Sequence, residues 1–341
     1  MIEVEHLSKR FWVSKHHRGV SGVLRNLVTR QGREVRAVDD ISFAVAAGEM
    51  VGYIGPNGAG KSTTIKMLTG ILVPSEGQVD VNGLVPWRQR RELAKRIGAV
   101  FGQRTQLWWD LPLIESLELL RHVYGVTQAR FDENMAFFRQ TLELDEFINT
   151  PVRQLSLGQR MRGDLVAALL HDPPILYLDE PTIGLDVVAK ARVREFLLEM
   201  NRQRGVTVML TTHDMEDISQ LCTRMLLIDH GRLLYDGSIQ AIRDRFGVER
   251  TLVIDLADDE LHERLSVPNA DEVRADGPRR WLRFRRDETT AAALIAAVTA
   301  RYPIRDLTVE EPAIEGIIRR IYEEGFDMST AVSESTYARL R

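Results

Sequence analysis

Cysteine is almost absent from this chain: Cys222 stands alone among 341 residues. An internal disulfide is thereby excluded, and with it the small secreted scaffolds that depend on such bridges. A lone thiol of this kind reads as a small buried hydrophobe in a reducing, cytoplasmic setting. Long apolar runs are missing too. The most apolar window, Ala291 to Ala300, falls well short of the ~18–20 residues a membrane-crossing helix needs, so any work at a membrane is expected of a separate membrane subunit. Met1 to His6 carries no basic-then-apolar leader. Neither sign of charge is in great excess. The formal net charge is −4, a mildly acidic balance that argues against nucleic acid as a partner. No internal repeat and no low-complexity segment interrupts the sequence. The length allows one large domain plus a small one.

What is present alternates between strands and helices. Met50 to Ile54 is an apolar run ending in glycine, as expected of a buried strand entering a loop. A helix is predicted from about Lys61 to Thr69, with Ile65 and Leu68 inward. Gly77 to Gly83 alternates between glycines and reads as a short exposed strand. From about residue 104 to 172 the pattern is helical. Ile114, Leu117 and Leu120 share one face, and Met135, Phe138 and Leu142 another. Ile175 to Leu178 is a continuous apolar run, as in a parallel strand covered on both faces. A helix with Val193, Phe196, Leu197 and Met200 inward follows, then a strand at Val206 to Leu210. The alternation predicts an α/β fold with a mostly parallel sheet over residues 1–240. Residues 250–325 read differently. Their order of strand, helix (258–265), hairpin around Gly277-Pro278, helix and strand predicts a small ferredoxin-like α+β module, closed by a helix near Glu311 to Glu324. Residues 326–341 read as a tail.

Gly55-Pro56-Asn57-Gly58-Ala59-Gly60-Lys61-Ser62 fits the phosphate-binding pattern G-x-x-x-x-G-K-[ST] between a strand and a helix. Glycines let backbone N–H groups curl around phosphate oxygens with no Cβ in the way, and the helix N-terminus adds a favourable dipole. Lys61 is suited to the β- and γ-phosphates and Ser62 to Mg²⁺, with Thr63 next on the helix. Asp179 and Glu180 end an apolar strand. Asp179 is suited to holding Mg²⁺ through water, and Glu180 to orienting or deprotonating an attacking water. ATP and Mg²⁺ are therefore the expected ligands.

Between these elements lies Leu155-Ser156-Leu157-Gly158-Gln159, which resembles the signature of ABC-type ATPases. The resemblance covers roughly residues 1–240. It extends to Ile183-Gly184-Leu185-Asp186, similar to the D-loop, and to Thr211-Thr212-His213-Asp214, similar to the switch-histidine motif. Gln103 resembles the Q-loop glutamine, with Gln106 as a rival. Phe11 lies where the family has an aromatic that stacks on adenine, and the adjacent Trp12 is an alternative. The family commonly has glycine at position 157, where this chain has leucine. The resemblance implies a P-loop core with a helical subdomain (about 104–172) and a dimer of two identical or similar chains. Each ATP site would take Lys61, Ser62, Gln103, Asp179, Glu180 and His213 from one chain. Ser156 and Gly158, with Gln159 beside them, would come from the other, and Asp186 would face the dimer. Within the family the chain resembles the ATPase subunits of ABC-2-type exporters, by its single cassette, by the segment Pro312-Ala313-Ile314-Glu315 and by the phrase from Gln103 to Asp110. Some members of a similar bacterial branch are associated with drug or viologen export. The implied partner is a membrane permease, and the implied location is the inner face of the cell membrane. A soluble role in translation or DNA maintenance, or a non-transport regulatory role, is the alternative; translation and DNA-maintenance proteins of the family usually carry two cassettes or long coiled coils, which are missing.

Two features stand apart. Residues 9–36 hold eight Lys or Arg and one acid, Glu34, and read as a basic loop able to meet anionic headgroups or the membrane subunit. Similar insertions occur in polysaccharide-exporting members of the family. Trp108 and Trp109 are suited either to a permease-binding groove or to packing inside the helical subdomain.

Overall fold

A computed structural model of the chain describes residues 1–14, 32–102, 104–246, 249–257, 264–311 and 314–324. They divide into two compact units, Met1–Asp236 and Gly237–Arg341.

The first unit opens with two long antiparallel strands, β1 (Ile2–Ser14) and β2 (Gly32–Val45). β3 (Met50–Ile54) leads into α1 (Lys61–Leu68), and β4 (Glu76–Val81) pairs with the free side of β1, giving the order β2-β1-β4. This antiparallel sheet corrects two expectations. The stretch 9–36 is not simply a loop. β1 continues to Ser14 and β2 begins at Gly32, with Phe11 opposite Val35 and Trp12 opposite Glu34, so β-favouring residues on both arms extend the ribbon. Residues 15–31 lie outside the described residues. β4 is also less exposed than its glycines imply. Val79 and Val81 are buried, because the two-residue period turns one face of the strand inward. They join a core that includes Ile2, Leu7, Phe43, Tyr53 and Ile65.

The second sheet runs through the middle of this unit. After α2 (Arg90–Ala94) come β5 (Ile97–Phe101) and three helices, α3 (Leu113–Tyr124), α4 (Gln128–Thr141) and α5 (Leu157–Leu169). Strands and helices then alternate: β6 (Ile175–Asp179), α6 (Val187–Arg204), β7 (Thr207–Thr211), α7 (Met215–Leu221), β8 (Arg224–Asp229) and β9 (Arg232–Ser238). The strand order is β5-β6-β7-β3-β8-β9, and β5, β6, β7, β3 and β8 are parallel. β3 and β7 are buried along their whole length, and β6 in all but Asp179; cover on both faces is why Ile175 to Leu178 reads as an unbroken apolar run. In α3 the buried face is Leu113, Ser116, Leu117 and Leu120; Ile114, expected inward, is only half-buried. Among the described residues no helix is long and apolar enough to cross a membrane. Cys222 is buried and free, and burial pushes its thiol up to about 12, so it is inert as a nucleophile at neutral pH.

The second unit contains α8 (Ile239–Phe246), β10 (Glu249–Leu256), β11 (Ala270–Asp276), β12 (Arg279–Arg285), α9 (Ala291–Thr299), β13 (Ile304–Glu310) and α10 (Ile314–Glu324). Its sheet is antiparallel with the order β11-β12-β10-β13, the strand arrangement of a ferredoxin-like module. Leu294 and Val298 of α9 pack on Leu252, Ile254, Leu282 and Phe284. The short helix expected over 258–265 falls largely outside the described residues.

Candidate functional site

Register positions the candidate site. Phe101, Asp179 and Thr211 lie side by side at the ends of β5, β6 and β7, with Tyr53 of β3 beside Thr211. The loops leaving these strands therefore meet at one edge of the sheet, where open α/β sheets place ligands.

The loop from β3 to α1 is shaped by backbone contacts. A Cβ on Gly55 would lie 2.4 Å from the Ile228 carbonyl oxygen, and one on Gly60 would lie 2.3 Å from that of Ala37. Gly60 also holds φ +108°, a conformation costly to residues with a Cβ. Asn57 and Gly58 form the exposed tip, and a Cβ on Gly58 would meet nothing within 4 Å. Lys61 is buried, and its Nζ donates to the Gly55 and Pro56 carbonyls at 2.6 and 3.1 Å. Burial lowers its pKa, while the charges of Glu180 and Asp179 oppose the shift. A lysine held among two carboxylates and loop carbonyls is suited to binding an anion with several negative oxygens. Thr63 sits half-buried in the first turn of α1.

Ser62 Oγ donates to Asp179 Oδ2 at 3.0 Å, and Thr211 Oγ1 donates to Asp179 Oδ1 at 2.5 Å. Among the described residues no group of three or more His, Cys, Asp or Glu could hold a metal ion by itself. A hydroxyl touching a carboxylate instead fits Mg²⁺, which keeps several waters and takes its other ligands from phosphate.

Glu180 follows Asp179 with φ +55°, a sparsely populated conformation for a non-glycine residue. Its N–H donates to the Thr211 carbonyl at 2.9 Å. Gly102 presses on the same turn: its N–H donates to the Asp179 carbonyl at 2.8 Å, and a Cβ there would lie 2.5 Å from the Glu180 carbonyl oxygen. His213 Nδ1 lies 3.4 Å from Glu180 Oε1, with the imidazole 63% exposed. Lys61, Ser62, Asp179, Glu180 and His213 are thus brought together. Gln103 lies outside the described residues. Gln106 is turned toward α5, where its Nε2 donates to the Asp164 carbonyl at 3.1 Å.

Ser156 is the N-cap of α5. Its Oγ accepts from Gln159 N at 3.2 Å, and Gln159 Oε1 accepts from Ser156 N at 2.9 Å, a reciprocal capping box. The Gln159 amide oxygen is therefore engaged within its own helix. A Cβ on Gly158 would lie 3.2 Å from Ala189 Cβ. Leu157 lies over Gly184, whose added Cβ would lie 2.9 Å from Leu157 Cδ2. Asp186 caps α6 by accepting from Ala189 N at 2.8 Å. Phe11 is 36% exposed, with Lys9 Nζ 5.2 Å from its ring centroid; Trp12 is more exposed still.

Sequence reading missed several supporting residues, because each acts through a partner remote in the chain. Thr211 and Gly102 are two. Lys190 bonds to Asp214 at 2.5 Å. Burial alone would raise the Asp214 carboxyl, yet the Lys190 bond and charge leave it below its usual value. Asp217, wholly buried, accepts from Arg194 Nε at 2.5 Å and from the Thr182 hydroxyl, tying the turn after Glu180 to α6 and α7. Asp164 is another: burial pushes its carboxyl up to about 6, against hydrogen bonds from Thr105 and Gln106. A carboxyl raised in the folded state contributes stability fully below its unfolded value of 3.8 and loses it as pH rises through about 6. Relative to Asp164→Asn, which titrates nothing there, the native chain should lose roughly 3 kcal/mol between pH 3.5 and 7. Urea midpoints at both pH values check this, and parallel pH profiles for the two chains would refute it.

Known proteins share this arrangement. The family described as ABC transporter matches residues 38–183. The ABC transporter ATP-binding protein NatA of Bacillus subtilis is 33% identical over 61% of this chain and 84% of its own length. The Nod factor export ATP-binding protein I of Ralstonia nicotianae is 32% identical over 84% of this chain and 89% of its own. Among solved structures, the ATP-binding subunit of an ABC transporter aligns with a TM-score of 0.60 at 28% identity, covering 72% of this chain and 93% of that one. A dimeric ATP-binding cassette in a post-hydrolysis state, bound to ADP and Pi, aligns at 0.58 and 25% identity, covering 70% and 99%. With its phosphate loop and strand-end carboxylates at one edge of a parallel sheet, the chain belongs to the ABC transporter family as an ATP-binding, ATP-hydrolysing subunit.

Proposed function

We propose that the chain powers a separate membrane permease of the ABC-2 exporter type by closing as a homodimer around two ATP molecules. The observation that carries this reading is the division of the candidate residues. Lys61, Ser62, Asp179, Glu180 and His213 converge at one strand edge, whereas the hydrogen bonds of Ser156 stay within the N-terminus of its own helix. Two half-sites completed by a second copy account for this. Lys61 and the loop N–H groups grip the phosphates, Glu180 takes the proton of the attacking water, and His213 faces the γ-phosphate beside it. Ser156 and Gly158 of the second chain direct the N-terminus of α5 at the same phosphate. Ser62 and Asp179, with Gln103, would hold Mg²⁺, which neutralises charge developing on the phosphoryl oxygens. Phe11 supplies a face for adenine. Closure is a population shift driven by the higher affinity of ATP for the closed dimer.

The relatives named for Nod factor export support the exporter reading, as does the small α+β unit after the cassette. Trp108 and Trp109 are 42% and 50% exposed, consistent with a surface for the permease. A cytoplasmic position at the inner membrane face follows from that partner. The basic stretch 9–36 contributes less than its composition implies: Arg10 pairs with Glu76 and Glu34, and Arg36 with Glu34 and Asp39. Lys9 Nζ donates to the Val73 carbonyl, so the lipid reading rests on Lys15, Arg18, Arg25 and Arg30, outside the described residues, and on Arg33.

Affinity purification from detergent-solubilised membranes tests the proposal. An integral membrane protein should co-purify, and Trp108→Ala with Trp109→Ala should reduce its recovery at least about tenfold, as for loss of an interface anchor. Recovery of ribosomes or DNA instead would overturn the transport reading.

A further inference from the structure

Asp164 is a charged side chain in the middle of the signature helix α5, yet it is only 5% exposed. Its partners all come from the short segment that follows β5. Thr105 Oγ1 donates to Asp164 Oδ1 at 2.8 Å, and Gln106 N donates to the same oxygen at 3.1 Å. The Gln106 side chain adds its bond to the Asp164 carbonyl. Thr105 Oγ1 also accepts from Leu107 N at 3.1 Å, so the carboxylate organises a small turn. Gly163, next to it, makes the approach possible: a Cβ there would lie 2.9 Å from Leu113 Cδ1 and 3.0 Å from Leu107 Cδ1. The notch in α5 formed by Gly163 and Asp164 thus receives residues 105–107.

The other end of this link is also fixed. Gly102 N is bonded to the Asp179 carbonyl, and Gly102 abuts the Glu180 backbone. Two residues stand between Gly102 and Thr105, which makes three Cα-to-Cα steps, so the two anchors cannot part by more than about 11 Å. One anchor is the strand end that carries Glu180. The other is α5, whose N-terminal Ser156 lies about 12 Å along the axis from Asp164 at 1.5 Å per residue.

We propose that Asp164 is a positioning residue for ATP hydrolysis: it clamps residues 105–107 to the signature helix, so that the helix bearing Ser156 and the strand end bearing Glu180 keep the spacing the closed dimer requires. The inference rests on the site reading given above. A broken clamp leaves the Lys61 loop untouched, so ATP binding persists, but it lowers the fraction of closed dimers with α5 correctly aimed. A loss in kcat without a matching change in KM is the result.

The experiment is steady-state ATPase kinetics on the full-length chain, alone or with its membrane partner, whichever form turns over. Asp164→Ala should lower kcat about tenfold, or about 1.4 kcal/mol of activation free energy, and move KM less than about twofold. Asp164→Asn keeps an acceptor oxygen and should retain at least about half of kcat. Thr105→Val, which removes one donor, should lower kcat about threefold. The double variant Asp164→Ala, Thr105→Val should be no worse than Asp164→Ala within a factor of about two, because both changes break one interaction. Any of three results overturns the clamp: Asp164→Ala within twofold of the native kcat, Asp164→Asn as poor as Asp164→Ala, or multiplicative losses in the double variant. If Asp164→Ala fails to fold, Thr105→Val and Asp164→Asn decide: an unchanged kcat in the first, or a collapse in the second, overturns it. Glu180→Gln in the same assay separates the two levels. Turnover surviving there would remove the site reading itself, whereas its loss alongside an indifferent Asp164→Ala would remove only the clamp.

Discussion

Replacing Glu180 by glutamine should lower ATP turnover by a factor of about 10²–10⁴, the range supplied by a positioned general base, while ATP binding persists. The geometry explains why so small a change is decisive. Glu180 is held at φ +55° by the end of β6, with its N–H on the Thr211 carbonyl and Gly102 packed behind its own carbonyl. Its carboxylate lies 3.4 Å from His213 Nδ1. Glutamine has the same shape and can occupy the same turn, but its amide cannot accept a proton from water at neutral pH. Lys61 keeps its bonds to the Gly55 and Pro56 carbonyls, so the phosphate grip survives. Removing a negative charge near the phosphates also favours the bound state. ATP should therefore accumulate on a closed dimer that the native chain only passes through. Single-turnover hydrolysis and size-exclusion chromatography with and without ATP check both halves. Near-native turnover in the variant would refute Glu180 as the base.

The second large effect concerns which chain completes which site. Lys61→Ala removes the phosphate lysine, and Gly158→Asp adds a carboxylate at the N-terminus of α5. There a side chain would crowd Ala189 and its charge would repel phosphate. Each variant alone should fall to about 1% of native activity or less, as expected when a preorganised charge at the transferring phosphoryl group is lost. Mixed in equal amounts, they should recover. Random pairing makes half of the dimers mixed, and each mixed dimer holds one site with intact Lys61 and intact Gly158. Activity should return to about a quarter of the native value for a two-fold dimer. No recovery on mixing, with dimers shown to exchange, would mean that Ser156 and Gly158 serve their own chain's site.

Legibility from sequence followed the range of the interactions. The glycine-rich loop, the acidic strand end and the signature Leu155 to Gln159 are local: residues a few positions apart do one job, so their spacing carries the information. The parallel strands β3 and β6 were legible because burial on both faces favours apolar residues along the strand. A strand near Val38 to Phe43 was legible too, but the outer part of the antiparallel ribbon, Arg10 to Ser14 against Gly32 to Arg36, was not. Its charged outer positions look like a loop until Val35 and Glu34 are seen opposite Phe11 and Trp12. Thr211 beside Asp179, Lys190 beside Asp214 and Asp164 beside Thr105 were equally hidden, since the partners stand 32, 24 and 59 positions apart and nothing between them signals the contact.

By itself the sequence determined the chemistry this protein can perform: a phosphate loop, a strand-end carboxylate pair, a signature helix and a lone cysteine with no disulfide partner. The tertiary structure decided how those groups are held. Strand order puts β7 between β6 and β3, which delivers Thr211 to Asp179. The small-residue notch at Gly163 brings the segment after β5 onto Asp164. The physical reason is that a side chain's partner is set by which surfaces pack together, and packing is a property of the whole chain rather than of any window along it.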